Sequence, residues 1–211
     1  MLIDEISQNL QKGRAKPLLA LVEQALSEDI AADTILNDGL LSAMGVVGEK
    51  FKNNEVFVPE VLRSARAMNQ ALELLKPYLT GNSANTIGKA VIGTVKGDQH
   101  DIGKNLVAMM LIGAGFEVID LGANVEAEAF VQAVREHEPA VLGLSALLTT
   151  TMGQQKVVIE AIKEAGLRDK VKIMVGGAPV TQEFAQKIGA DAFSADAGSA
   201  AATAKDLVVG A

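Results

Sequence analysis

Apolar positions in the first part of the chain recur at helical spacing. Leu2, Ile6 and Leu10 are four apart, and Gly13 then interrupts the pattern. Pro17 sits where a first helical turn tolerates it, and Leu18, Leu21, Val22, Ala25 and Leu26 share one face. Leu36, Leu40, Met44, Val47 and Phe51 predict a third, longer helix. Pro59 opens a fourth, in which Val61, Ala65, Met68, Leu72 and Leu75 keep an alternating spacing up to Pro77. Four amphipathic helices with short connections predict an antiparallel bundle.

The stretch Thr80-Gly81-Asn82-Ser83-Ala84-Asn85-Thr86 is small, polar and uncharged, as a linker would be. Beyond it, short β-branched runs at Ala90–Val95, Glu117–Leu121, Ala140–Leu144, Val171–Val175 and Asp191–Phe193 alternate with helical patterns. Those helices fall at 103–114, 126–137, 152–165, 181–188 and 197–208. Strands alternating with helices predict parallel crossovers covered on both faces. The predicted class is therefore α + α/β: an N-terminal four-helix bundle followed by a flavodoxin-like (Rossmann-type) five-stranded parallel sheet. The expected strand order is 2-1-3-4-5. The predicted boundaries are 1–80 for the helical domain, 81–87 for the linker and 88–211 for the α/β domain.

Composition narrows the function. The 211 residues carry a formal charge of −7 and only 3% aromatics, which argues against nucleic-acid binding. No cysteine is present, which removes disulfides, thiolate zinc sites, iron–sulfur clusters and cysteine nucleophiles. The uncharged apolar run Leu106 to Phe116 is far short of the ~20 residues of a membrane span. Met1-Leu2-Ile3-Asp4-Glu5 turns acidic too early for a signal peptide. A cytoplasmic protein that needs neither membrane nor nucleic acid is expected.

In a doubly wound sheet, ligands bind beyond the carboxyl ends of the strands. The loops expected there are rich in glycine, alanine and hydroxyl residues, which leave a wide trough with exposed backbone. Gly97 to Asn105 resembles a phosphate loop but fails: Gly103-Lys104 lies one residue too far from Gly97, and Asn105 replaces the magnesium-binding hydroxyl. A receiver domain would need an acid at the end of strand three, where Ser145 stands. His100 follows strand one, with Asp98 placed to orient one ring nitrogen and turn the other toward a metal. Gly103 lets the next helix approach a bulky flat ligand. One histidine cannot hold zinc, but it can hold a metal whose other positions a macrocycle fills, either a haem or a corrin. His137 lies among charged residues at a helix end and reads as solvated surface.

Asp98-x-His100-x-x-Gly103, Ser145-x-Leu147 and Gly176-Gly177 together resemble the signature of cobalamin-binding domains of the methionine-synthase type. Met44 to Phe51 and Phe57 to Met68 are similar to the helical cap of those modules. The whole chain resembles the corrinoid methyl-carrier proteins of methyltransferase systems. That resemblance implies cobalamin or a related corrinoid, as methylcobalamin or cob(I)alamin, bound base-off with His100 as lower axial cobalt ligand. It implies no catalytic residue on this chain, but a proton relay to the ligand through Asp98 and Thr151. The cofactor would lie against Gly97, Asp98, Gln99, His100, Asp101, Ile102 and Gly103. Its nucleotide tail would run past Ser145, Leu147, Thr149, Thr151, Gly176, Gly177 and Ala178, and Ala195 and Asp196 would close the channel. Phe51, Val58, Val61 and Leu62 would cap the cobalt face, although Phe51 and Val61 also fit an inward-facing stripe at helical spacing, which by itself favours plain bundle core.

The implied function is transfer of a methyl group on cobalt between two enzymes. One is a substrate-specific corrinoid methyltransferase, using a donor such as a methylamine, a methoxylated aromatic or methanol. The other is an acceptor methyltransferase serving a thiol, tetrahydropterin or tetrahydrofolate. A reductive activator of the corrinoid would be a third partner. Two alternatives share the binding domain: a cobalamin-dependent regulator and the small subunit of an adenosylcobalamin mutase. The first usually carries a basic DNA-binding region and the second normally lacks the helical cap.

Overall fold

The structure, a computed structural model, describes residues 1–79 and 86–209. These residues form two compact units, one helical and one α/β. The expected linker at 81–87 lies outside the described residues except for Thr86 and Ile87.

The helical unit comprises α1 (Leu2–Gln11), α2 (Ala15–Ser27), the single turn α3 (Ala32–Thr34), a π-helical segment (Ile35–Leu41), α4 (Ser42–Lys52) and α5 (Val58–Leu75). α1 packs on α2 and α4, and α5 packs on the same two helices. The predicted stripes fill the core between them: Ile6, Leu10, Leu18, Val22, Leu40, Met44, Val47 and Met68 are all buried. The spacing predicted one continuous helix from Leu36 to Phe51, whereas residues Ile35–Leu41 wind as a π-helix before α4 begins. Both helix types place residues four apart near one face, so apolar spacing could not separate them. Gly39 lets the wider segment seat against α1, since a Cβ there would lie 3.0 Å from Ile6 Cγ2.

The ends of the helices are tied by side chains. Lys50 Nζ donates to Gln11 Oε1 at 3.1 Å, and Ser64 Oγ donates to Gln11 O at 3.3 Å. Glu60 Oε2 accepts the Phe57 N–H at 2.9 Å at the start of α5, satisfying a donor that the helix cannot. The turn between α1 and α2 passes so close to α5 that Gly13 is required twice over. Its φ is +63°, and a Cβ would lie 2.6 Å from Arg63 Cβ.

The α/β unit is a five-stranded, wholly parallel sheet in the order β2-β1-β3-β4-β5, as expected. Its strands are β1 (Gly88–Thr94), β2 (Phe116–Asp120), β3 (Val141–Ser145), β4 (Lys172–Gly176) and β5 (Ala192–Ser194). The helices are α6 (Ile102–Gly113), α7 (Ala127–His137), α8 (Gly153–Glu164), α9 (Gln182–Ile188) and α10 (Ala197–Val209). Val91, Leu142, Leu144, Ile173 and Val175 form a continuous core with Phe130 and Val134 of α7, Ile159 and Ile162 of α8, and Ile188 of α9. Their strand neighbours Ala90, Ile92, Val141 and Met174 alternate to the opposite face and are equally buried, as a doubly covered sheet requires.

Strand register fixes the edge where the loops emerge. Thr94 pairs with Ser145, Ser145 with Gly176, and Gly176 with Ser194, so these four residues form one row at the carboxyl end. The chain leaves β1 for β2 on one side and β3 lies on the other, which makes the gap between the β1 and β3 loops the switch point. Among the described residues no helix is long and apolar enough to cross a membrane.

Two glycine substitutions test the helical unit with opposite signs. Gly13→Ala should cost about 1–3 kcal/mol, through left-handed strain and the contact with Arg63. Gly45→Ala, inside α4 where a Cβ meets nothing within 4 Å, should gain about 1 kcal/mol. Urea unfolding of the apoprotein measures both, and equal effects would contradict this packing.

Candidate functional site

The loop from β1 to α6 is built around one buried carboxylate. Asp98 N donates to Val95 O at 3.1 Å, closing a tight turn after β1. Gly97 N donates to Asn124 Oδ1 at 2.7 Å and Asn124 N donates to Asp98 O at 2.9 Å, which anchors the turn to the loop after β2. Asp98 itself is 0% exposed.

Its oxygens divide between two loops. Oδ1 accepts from His100 N at 3.0 Å and faces His100 Nδ1 at 2.8 Å. Oδ2 accepts from Leu147 N at 2.8 Å, Leu148 N at 3.3 Å and Thr151 Oγ1 at 2.6 Å. Burial alone would raise the carboxyl's pKa. The bonds from Thr151, the His100 and Leu147 main-chain N–H groups and the His100 ring outweigh it, and hold the group well below the usual carboxylate range. An ionised partner keeps the imidazole proton on Nδ1, which leaves Nε2 with the free lone pair. The His100 side chain is half exposed, so that nitrogen is open to a ligand. Among the described residues there is no group of three or more His, Asp or Glu side chains that could hold a metal ion. A metal here would take this one protein nitrogen and bring its other ligands with it.

The surroundings suit a large flat group. Ile102 is 80% exposed at the start of α6, and Leu147 and Leu148 are exposed in the facing loop. Gly103 has an ordinary backbone conformation, and a Cβ there would meet no atom within 4 Å. Among the described residues nothing demands glycine at that position; a body approaching from outside would. Gly177 is different, since φ is +126° and a Cβ would lie 1.7 Å from Ala146 O. It brings the β4 loop hard against the β3 loop. Gln155 of α8, wholly buried, bridges the two strands by donating to Leu144 O and Gly176 O, each at 3.0 Å. Its Oε1 and the Ser194 Oγ are buried without a partner among the described residues. Polar atoms in that state take a bond from water or from a bound group.

The remaining expected residues fall in several places. Ser145 is partly buried in the row at the sheet edge, while Thr149, Ala178, Ala195 and Gln99 are exposed in their loops. Asp196 Oδ1 accepts from Ser199 N at 2.8 Å, which gives it the work of capping α10. Asp101 Oδ2 accepts from Asn105 Nδ2 at 3.1 Å. In the helical unit Phe51 ends α4 and Val58, Val61 and Leu62 begin α5. Val58 is exposed, Phe51 and Leu62 are partly so, and Val61 is wholly inside the core. His137 is half-buried in the last turn of α7 rather than fully solvated.

Several contributors had not been singled out: the Leu147 and Leu148 main-chain donors, Asn124, Gln155, and an ion pair between the buried Lys104 and the exposed Asp120. Two had a visible signal. Gln155 and Lys104 each occupy a polar break in an otherwise apolar helical stripe, with Val158, Ile159 and Ile162, and with Ala108 and Leu111.

A parallel sheet with one carboxylate-oriented histidine at its switch point, beside glycine-lined loops, defines a domain for a large metal-bearing cofactor. The family model described as "B12 binding domain" matches residues 88–205, and a second model of the same description matches residues 2–76. The dimethylamine corrinoid protein of Methanosarcina barkeri is 44% identical over 208 residues, covering 98% of this chain and 97% of that one. The trimethylamine corrinoid protein of the same organism is 46% identical over 191 residues, covering 88% of each. The crystal structure of the methanol:cobalamin methyltransferase complex MtaBC from Methanosarcina barkeri superposes with a TM-score of 0.91 at 31% identity, covering all of this chain and 80% of that one. The chain belongs to the B12-binding corrinoid-protein family.

The Asp98 environment predicts the acid limb of stability. A depressed carboxyl pKa contributes stability that is present above the unfolded value of about 3.9 and is lost as pH falls toward the folded value. Asp98→Asn should cost about 3 kcal/mol at pH 7, and the gap from wild type should narrow at pH 3. Urea unfolding of the apoproteins at both pH values checks this, and a gap that widens in acid would contradict it.

Proposed function

We propose that the chain carries a methyl group on a corrinoid between two methyltransferases, with His100 as the lower ligand of the cobalt. The observation that carries this reading is the fixed Asp98–His100 pair, which leaves Nε2 as the free nitrogen at the switch point. When bound, the corrinoid supplies a cobalt centre that takes a methyl group from one partner and yields it to the other.

The chain's own residues orient, shield and adjust. Asp98 holds the proton at Nδ1 and so selects the ligating nitrogen. Thr151 Oγ1 has one hydrogen and two acceptors in reach, Asp98 Oδ2 at 2.6 Å and Leu148 O at 3.1 Å. Turning that hydroxyl changes the number of donors on the carboxylate, and with it how firmly Asp98 keeps the imidazole proton. Gly103 and the exposed Ile102 would take the corrin plane, and the loops at Ser145, Gly176-Gly177 and Ser194 would take the nucleotide tail. Phe51, Val58 and Leu62, backed by Val61 in the core, would form an apolar lid that keeps water from the reacting face.

Names of relatives refer to dimethylamine, trimethylamine and methanol, so we assign the donor to methylated amines first. The partners would be an amine-specific methyltransferase, an acceptor methyltransferase and a reductive activator, all meeting this chain in the cytoplasm.

Reconstitution with hydroxocobalamin should give a one-to-one complex, and reduced complex should accept methyl groups when an amine methyltransferase and its amine are added. Complex that accepts none from any methylated amine, but does from methanol, would move the donor assignment. Gly103→Leu should not destabilise the apoprotein, because a Cβ there meets no described atom of the chain within 4 Å, yet it should weaken corrinoid binding at least ~10-fold. Unchanged affinity, read by spectral titration, would place the cofactor elsewhere.

A further inference from the structure

Lys104 is a buried charge that the proposed methyl transfer does not use. It lies in the first turn of α6, is 4% exposed, and its ammonium is paired with Asp120 at the end of β2. An ammonium is costly to bury, and it is kept here by a hydrogen-bonded circuit. Lys104 Nζ also donates to Asn105 Oδ1 at 2.6 Å, and Asn105 returns two bonds to Asp101, from its main-chain N at 2.8 Å and from Nδ2 at 3.1 Å. On the other side, Asp120 Oδ1 accepts from Gly122 N at 2.8 Å, and Gly122 O accepts from Thr94 N at 2.9 Å. Thr94 Oγ1 donates to His100 O at 3.1 Å, and His100 is bonded directly to Asp101. The path runs from His100 through α6, across to β2, back through β1 and returns to His100.

We propose that the Lys104–Asp120 pair is a positioning device that braces the main chain of His100, so that the imidazole meets the cobalt from a fixed backbone. The inference rests on the ligand role proposed for His100. The Asp98 side of the loop is held by bonds to the β3 loop, and on the Lys104 side this circuit adds side-chain bonds that tie the first turn of α6 to β2. With both sides fixed, any departure and return of the imidazole is a side-chain movement, and the ring returns to one place. Without the pair, the α6 turn loses this side-chain tie to β2, the residues on the carboxyl side of His100 are held less firmly, and the ligated state must order them again each time.

The test uses protein reconstituted with hydroxocobalamin and reduced to cob(II)alamin, read by electron paramagnetic resonance, in which a nitrogen ligand splits the cobalt lines. Lys104→Met removes the charge but keeps the length of the side chain, and Asp120→Asn keeps the acceptor for Gly122 N. Both should bind corrinoid at the wild-type stoichiometry, with the ratio of nitrogen-ligated to unligated cofactor reduced roughly 10-fold, as for other outer partners of a metal ligand. The double variant should be no worse than Lys104→Met alone, because the two side chains act as one unit. A wild-type ratio in both single variants would overturn the brace. His100→Ala serves as the reference. If it leaves the splitting intact, the ligand assignment itself fails, an outcome separate from failure of the brace. Should Lys104→Met not fold, Asp120→Asn decides alone, since its side chain is 36% exposed and can be solvated.

Discussion

The site depends on one carboxylate that is buried and yet kept charged. Asp98 is taken out of water and repaid by donors from two separate loops: its own, through His100, and the β3 loop, through Leu147, Leu148 and Thr151. Hydrogen bonds to an ionised acceptor are roughly twice as strong as neutral ones. A single acidic group therefore welds the two sides of the switch point together. The same group sets the tautomer of His100. Structural adhesion and imidazole orientation are one interaction, so neither can be altered without the other.

The fold supplies what that interaction needs. Parallel pairing of β1 with β3 brings Thr94 level with Ser145, so the two loops leave the sheet side by side. Gly177 permits the β4 loop to close on the β3 loop, and Gln155 stitches the strands beneath them. Around the histidine the chain is tied by hydrogen bonds, whereas the approach to its free nitrogen is spare: Gly103 adds no side chain and Ile102 offers bare apolar surface. A corrinoid protein serving partner enzymes in the proposed way would need that combination, a firmly held imidazole and an uncluttered approach.

Much of this was legible in the sequence, for physical reasons that also mark the limit. The strands declared themselves because a sheet covered on both faces needs continuous β-branched runs, as at Ala90–Val95 and Val171–Val175. Asp98 and His100 declared themselves because their two-residue spacing lets a carboxylate reach Nδ1. The main-chain donors of Leu147 and Leu148 could not be read, since an N–H group belongs to every residue but proline. Asn124 owes its role to a left-handed backbone conformation at the end of a loop, which the residue type permits but does not announce. The π-helical turn at Ile35–Leu41 was hidden for another reason: its apolar spacing is that of an α-helix.

The central claim is that His100 Nε2, and not the base of the cofactor's own nucleotide, faces the cobalt. Isotope labelling tests it without altering a residue. Protein grown with 15N-histidine and loaded with unlabelled cobalamin is reduced to cob(II)alamin and its paramagnetic spectrum recorded. A histidine ligand predicts that each cobalt line, a triplet in unlabelled protein, becomes a doublet. A triplet that survives the labelling would mean that the nucleotide base still holds the cobalt, and the account built on Asp98 and His100 would be wrong.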